Sequence, residues 1–499
     1  MRLALQPVPH WPKLAWVAIF ADGQQTIEVY HGPMVEASAD GCVEAVWAGD
    51  FGEGNFDQTD LVFGSGIRVR DDRVIFVSSA TGVDRLWYGN YAGRWHVSNS
   101  LPALLACARI GLCEDYPHYT RDIETIERLG LKRYVRWLPT TAGDVHVRYF
   151  TNLCYDGHGL SDLEKPDLTP PLKTFAEYRN FLFATAEQLA ANLHDPRRRH
   201  TIVPLVGISS GYDSPAAAVV ARHAGCRHAV TIVNANSLWR GCDSGEAIAA
   251  RLGMSCRCYR HERTAYHREE TIWAAAGRSG GRNLVLFDYP QPLCLFFNGS
   301  YGDKIWDRRH HDFSEPVGDT DSLLCEFRLI QGVFQTVVPW WGIRRAQEIH
   351  AIGSAPEMAP WTLGNGYDRP IARRLVEEAG IPRTMFGMRK KDTSSNVSFF
   401  WPQSPAAKEM FARYLRAREQ RVPSAPTIGL LARLAHLESL VRLNVTRRLP
   451  FDLRLRELLR LRSQSLLFQW GNEELKQRYQ QGLRTVAAPA PSPAEAAGR

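Results

Sequence analysis

"VPLVGISSGYDSPAAAVVARHAGC", from Val203 to Cys226, is the stretch on which the reading of this chain turns. An apolar run ends at Gly207, a loop of small residues follows, and an alanine-rich helical pattern opens at Pro215. Strand, tight loop and helix in that order begin a parallel βαβ unit. A loop of this kind exposes backbone N–H groups at the positive end of a helix dipole, which makes it a place for anions. Gly211 lets the backbone approach an oxyanion closely, and Ser209, Ser210 and Ser214 add hydroxyl donors. Pro215 suits the first helical turn, where its missing N–H costs nothing. Asp213 is the odd member, because a carboxylate beside phosphates repels them unless a divalent cation, usually Mg²⁺, lies between. The same residues also read as an N-cap, with Asp213 or Ser214 satisfying orphan N–H groups, and the loop alone leaves both readings open.

Working outward, the amphipathic "FAEYRNFLFATAEQLAANL" precedes the strand, and "HAVTIVN" and "SGEAIAARLG" repeat the strand and helix signals after it. The alternation predicts an α/β fold with a parallel sheet covered on both faces. Residues 1–157 instead alternate short β-branched and aromatic runs with Gly and Asn turns, as in "RVIFVSSATGVDRLWYGNYAGRWHVSNS", before a helical patch "LPALLACARIGL". Residues 158–175, with their prolines and no apolar period, read as a linker to a second domain over 176–485 whose C-terminal part is mostly helical. Residues 486–499 read as a disordered tail.

Composition sets the bounds. A chain of 499 residues with 44% hydrophobic and 23% charged residues is ordinary globular material for two or three domains. No run approaches the roughly 20 apolar residues of a membrane span, and prolines interrupt "MRLALQPVPHWPKLAW" before a signal-like core develops, so a cytoplasmic protein is expected. Ten scattered cysteines read as reduced thiols. A formal charge of +7 permits an anionic ligand without calling for nucleic acid. "CRCYRHE" brings Cys256, Cys258 and His261 together, but a C-x-C without a second pair is not the spacing of a structural zinc site. His310 and His311 in "DRRHHDF" read as a surface loop, and the eight arginines between Leu430 and Arg462 as the solvated face of packed helices.

"SSGYDS" resembles the SGGxDS pyrophosphate loop of the ATP pyrophosphatase superfamily, with Ser210 in place of the first glycine. "FFNGSYGDKIWD" (Phe296 to Asp307), "VVPWWGIRRAQEI" and "YDRPIARRLVEEAGIPRTMFGMRKKDTSS" resemble, in order, the later signatures of the asparagine synthetase domain. "VSSATGVDRLWYG" and "HVSNSLPALLA" resemble segments of the same family's glutaminase-like domain, so the resemblance covers nearly all of residues 60 to 400. It implies a degenerate N-terminal nucleophile hydrolase-like αββα domain, then a PP-loop ATP pyrophosphatase domain with ATP and Mg²⁺ as cofactors. Ser209, Ser210, Gly211, Asp213 and Ser214 would bind the departing phosphates, the backbone near Val233 would hold adenine, and Asp213 and Asp303 would ligate Mg²⁺. Lys391, following Arg389 as in the family's R-x-K, would stabilise charge when a carboxylate attacks the α-phosphate, with Lys390 as the match if the alignment slips by one.

The departures from the pattern are informative. Arg2 stands where the glutamine-using members carry their nucleophilic cysteine, and the first cysteine is Cys42, so glutaminase chemistry is expected to be absent. Ser300 and Lys304 replace acids of the second signature, and Gly342 an aspartate. An intact ATP half beside a rebuilt acceptor half is similar to β-lactam synthetase and the lasso-peptide cyclases. The resemblance therefore implies an ATP-dependent amide-forming ligase that adenylates a small-molecule or peptide carboxylate for attack by ammonia or a substrate amine. Ser300 marks the acceptor site, and Tyr301 and Glu326 are the candidate bases. The alternative is a catalytically inactive member that binds nucleotide or a partner.

Overall fold

The computed structural model describes residues 1–233, 242–260, 267–277, 282–308, 324–364, 367–388, 401–431, 433–434 and 462–487. The β-rich first part forms strands β1 (Arg2–Pro7), β2 (Trp16–Phe20), β3 (Thr26–His31), β4 (Glu36–Ser38), β5 (Gly41–Trp47), β6 (Val62–Arg70), β7 (Arg73–Val77), β8 (Leu86–Tyr91), β9 (Arg94–Ser98), β10 (Trp137–Thr140), β11 (Gly143–Arg148), β12 (Asn152–Tyr155) and β13 (Leu160–Leu163). They build a seven-stranded sheet, β1-β3-β2-β9-β8-β11-β10, and a six-stranded sheet, β13-β12-β7-β6-β5-β4. Period-2 burial in β3 turns Ile27 and Val29 inward, and the two sheets share a core of Trp16, Phe20, Phe76 and Tyr155. Helices α1 (Leu101–Ala108), α2 (Tyr119–Ile123) and α3 (Thr125–Arg133) supply Leu104, Leu105, Ile123 and Ile126 to a second core with Trp87 and Val147 of the seven-stranded sheet.

The expected linker is shorter than its composition implies. Tyr155 pairs with Leu160 across a turn in which Asp156 accepts from the N–H groups of His158 and Gly159, so β13 belongs to the first part's sheet. The polar residues that read as linker make a hairpin and an edge strand, and the crossing segment is 164–174. Helix α4 (Phe175–Leu193) then starts on a capping box between Thr174 and Glu177.

The second part holds the parallel sheet: β14 (Ile202–Gly207), β15 (His228–Ile232), β16 (Ser255–Tyr259), β17 (Leu293–Asn298) and β18 (Val333–Val337), in the order β16-β15-β14-β17-β18. Pro204 is tolerated in the central strand because pairing with β15 begins only at Leu205. The helices are α5 (Asp213–His223), α6 (Glu246–Arg251), α7 (Glu269–Ala276), α8 (Gly302–Ile305), α9 (Cys325–Gln331), α10 (Ala346–Ser354), α11 (Pro370–Glu378), α12 (Pro405–Arg416) and a terminal helix Leu467–Ala487. The chain winds outward from β14 in one direction and resumes at β17 in the other, so strand order reverses between these two neighbours. In open parallel sheets that reversal leaves a crevice at the carboxyl ends of the strands, where ligands bind. No described helix is long and apolar enough to cross a membrane.

The two parts share one apolar cluster, in which Trp47 and Phe63 of the six-stranded sheet meet Tyr178 and Leu182 of α4 and Trp341 after β18. Buried charge crosses the same boundary. Arg328 on α9 bonds both oxygens of Glu44 on β5, at 2.8 and 3.1 Å, and pairs with Asp84 at 2.5 Å. Beside it, Glu326 accepts from Ser100, the N-cap of α1, at 2.8 Å. Glu326, a candidate base in the sequence, thus joins the two parts through Ser100 at the start of α1.

Burial pushes the Glu326 carboxyl up to about 7 despite Ser100 and Arg85. A folded pKa above the unfolded one means the native state holds the extra proton between the ordinary value of 4.5 and about 7. The stabilisation is full below that window and is lost as pH rises through it. Glu326→Gln keeps an acceptor for Ser100 and is expected to flatten this slope, raising stability near pH 8 by on the order of 3 kcal/mol. Urea unfolding of both proteins at about pH 5 and about pH 8 reads it. A slope that survives the substitution contradicts the assignment.

Candidate active site

The serine loop leaves β14 at the strand-order reversal and is folded by its own hydroxyls. Ser214 Oγ accepts from the Ser209 N–H at 2.9 Å and meets Ser209 Oγ at 2.8 Å, while Ser209 Oγ takes the Gly211 N–H at 3.2 Å. Ser210 has a partner that its sequence neighbourhood does not announce. Asp243, before α6, accepts from both the Ser210 N–H and Oγ, the latter at 2.7 Å, and fixes the residue that replaces the usual glycine. The N-cap of α5 is Tyr212, with no side-chain capping bond, and Ser214 is committed to Ser209. An N-cap role for Ser214 is therefore not realised, and the helix terminus faces the crevice with Asp213 in its first turn.

The loop after β17 packs directly on this terminus. A Cβ on Gly299 would strike the backbone of Asp213 and Ser214, and one on Gly302 would strike the Asp213 carboxyl, so only glycine permits the approach. The approach puts Gly302, the residue before Asp303 of α8, against the Asp213 carboxyl. Ser300 lies in the intervening turn, its N–H on Asn298 Oδ1 at 3.1 Å. Tyr301 is a positive-φ residue (72°) whose ring is buried on Trp340, centroids 4.7 Å apart, under the Lys304 ammonium. That packing makes Tyr301 a wall of the turn rather than a presented base. Gly342, also at positive φ (74°), lies against Phe181 and Thr169, where a larger side chain is strained.

A third segment, unannounced by the opening loop, closes the site. Arg369 ion-pairs with Asp213, lies 3.9 Å from Asp307, and is 3% exposed under the Tyr367 ring. Burial opposes its charge, yet Asp213, Tyr367 and Asp303 together hold the guanidinium pKa above its ordinary value. Tyr212 packs on Tyr367, takes a hydrogen bond from Arg373 and is crossed by Gly387, at positive φ (61°), whose N–H donates to the Ser210 carbonyl at 2.9 Å. Arg369 and Asp243 escape sequence reading because nothing in a local period marks a partner so far along the chain.

Of the other expected residues, Val233 has its N–H on the Tyr259 carbonyl at 2.9 Å and its own carbonyl on the Cys242 thiol at 2.7 Å. Its backbone takes part in holding the sheet edge, and residues 234–241 beside it lie outside the described residues. Lys390, Lys391, His261, His310, His311 and most of the arginine-rich stretch lie outside the described residues. Cys256 and Cys258 are free thiols, and no cluster able to hold a metal by itself occurs among the described residues.

Mg²⁺ is a hard cation that takes few protein carboxylates and completes its shell with water and phosphate oxygens, so the pair Asp213 and Asp303 suits it. An anion is suited too, since Asn298 Nδ2 and Arg369 Nε are buried donors without a hydrogen-bond acceptor among the described residues.

No family model matches the chain, and no curated protein matches it. The site's chemistry rests on the residues themselves.

Gly387→Ala tests the closure. A Cβ there would collide with the Tyr212 ring and the backbone is left-handed, so the substitution is expected to cost about 1–3 kcal/mol of docking. Limited proteolysis should then cut faster around 385–400; unchanged cleavage contradicts the contact.

Proposed function

We propose that the chain is an ATP-dependent carbon–nitrogen ligase that adenylates a substrate carboxylate, releases pyrophosphate, and lets ammonia or a substrate amine displace AMP, without a glutaminase of its own. The fold reading that goes with it is a degenerate N-terminal nucleophile hydrolase-like domain on a PP-loop ATP pyrophosphatase domain. The observation that carries it is the convergence, at the strand-order reversal, of a hydroxyl-rich loop on a helix terminus with two carboxylates and two unsatisfied buried donors. Hydroxyls and N–H groups of residues 209–214 would bind the departing phosphates, and Asp213 and Asp303 would hold Mg²⁺, which supplies charge neutralisation to phosphate oxygens. Lys391 would meet the charge that grows as pyrophosphate leaves. The buried Tyr301 leaves the amine's proton to a base carried by the substrate or by residues near Ser300. One observation favours a second reading: a permanent Arg369–Asp213 pair would leave a protein that binds nucleotide or a partner without turnover. Calorimetric titration with ATP and Mg²⁺ separates the proposal from a site of another kind. Micromolar to millimolar binding that is lost in Asp213→Ala supports it, and no binding to the wild type overturns it.

A further inference from the structure

Arg369 stands where a metal-binding reading wants a cation. Its guanidinium bonds Asp213 on the first turn of α5, lies 3.9 Å from Asp307, and is acted on by the charge of Asp303. It is 3% exposed, and its Nε, the atom that lies 3.9 Å from the Asp307 carboxylate, has no acceptor at hydrogen-bond distance among the described residues. A buried N–H in that condition is a donor awaiting an acceptor, and a guanidinium fork matches phosphate oxygens better than it matches one carboxylate oxygen.

Resting on the nucleotide reading of this site, we propose that Arg369 is a resident counter-cation that occupies the carboxylate pair until a polyphosphate offers it replacement acceptors, so that divalent metal and nucleotide bind together. Metal alone is refused because it has to displace Arg369 from Asp213, leaving a buried guanidinium with only the longer Asp307 pair, at 3.9 Å, to balance it. Nucleotide alone brings negative charge against Asp213 and Asp303. With both present, the guanidinium passes to phosphate oxygens and its vacated carboxylate passes to the metal. Arg369 precedes α11, which carries Arg373 on Tyr212 and leads to Gly387 on Ser210. The exchange therefore pulls on the segment that runs to Gly387.

Mn²⁺ binding to the full chain, counted by electron paramagnetic resonance with and without a non-hydrolysable ATP analogue, tests this. The wild type is expected to take Mn²⁺ weakly alone and at least ~10-fold more tightly with the analogue, beyond the analogue's own affinity for the ion. Arg369→Met removes the competitor and is expected to bind Mn²⁺ alone at least ~10-fold more tightly than the wild type, with the coupling reduced to a few-fold. Arg369→Gln serves if the methionine variant does not melt as a folded protein. Equal Mn²⁺ affinity of wild type and variant without nucleotide overturns the proposal, as does wild-type Mn²⁺ affinity indifferent to the analogue. Failure of the analogue to bind either protein, read from its own signal, overturns the nucleotide reading and the proposal with it. Coupling lost with the analogue still bound overturns the proposal alone.

Discussion

Lys391→Ala is expected to lower ATP–pyrophosphate exchange by about 10²–10³-fold while leaving the affinity for ATP within a few-fold. The asymmetry follows from where the charge sits. On the proposed function the ground-state triphosphate would be held by the loop hydroxyls, N–H groups and metal, whereas the negative charge that develops on the leaving pyrophosphate would call for a further cation in the transition state only. Lys391 has the reach, being four residues beyond Gly387, whose N–H is bonded to the Ser210 carbonyl, and four residues span at most about 14 Å. Exchange and equilibrium binding on the same preparation check it. A variant that loses binding and exchange equally would make Lys391 a ground-state contact, and a full effect in Lys390→Ala with none in Lys391→Ala would move the role by one residue.

Arg328→Met is expected to destabilise the protein by about 3–5 kcal/mol, the largest effect on folding of any single substitution considered. The guanidinium and both its carboxylates are nearly inaccessible, with side chains at 2%, 0% and 3% for Arg328, Glu44 and Asp84. Removing the arginine leaves Glu44 with Ser65 and Asn99 but no cation, and Asp84 without the Arg328 ion pair. Burial raises the Glu44 carboxyl and Arg328 is the first group that opposes it, so the loss is expected to be larger near pH 8 than near pH 5. Adding Glu44→Gln and Asp84→Asn to the variant should recover part of the stability, because the neutral set has no uncompensated charge. A urea midpoint unchanged in Arg328→Met contradicts the view that these charges hold the two parts together.

The sequence makes some of this architecture plain and conceals the rest for identifiable reasons. The parallel sheet is legible because β14 and β15 are short apolar runs each followed by a small-residue loop and a helical period, and α4 announces itself by Thr174 and Glu177. β18, only five residues long, is concealed in a region of helical period, since "VFQTV" carries no alternation when both faces are buried. β13 hides because an edge hairpin is made of the same polar residues as a linker. The glutamate and arginine of "CEFRLIQ" look like the wet face of a helix, and only the first part of the chain, folded over α9, makes them a buried pair with Glu44 and Asp84. At the site, the resemblance of their loops singles out Asp213 and Asp303. Arg369 and Asp243 became visible only once α5, α6 and α11 were brought to one end of the sheet. Val233, near which the resemblance places an adenine contact, has its own N–H in the sheet ladder.

The strand-order reversal is proposed to be an adenylation site. The most direct test is ATP–pyrophosphate exchange by the purified chain with Mg²⁺ and pools of small-molecule and peptide carboxylates, in the wild type and in Asp213→Ala. Exchange that depends on one pool and disappears in the variant is the predicted result. ATP that binds without exchange in any pool would contradict adenylation and leave a nucleotide-binding protein in its place.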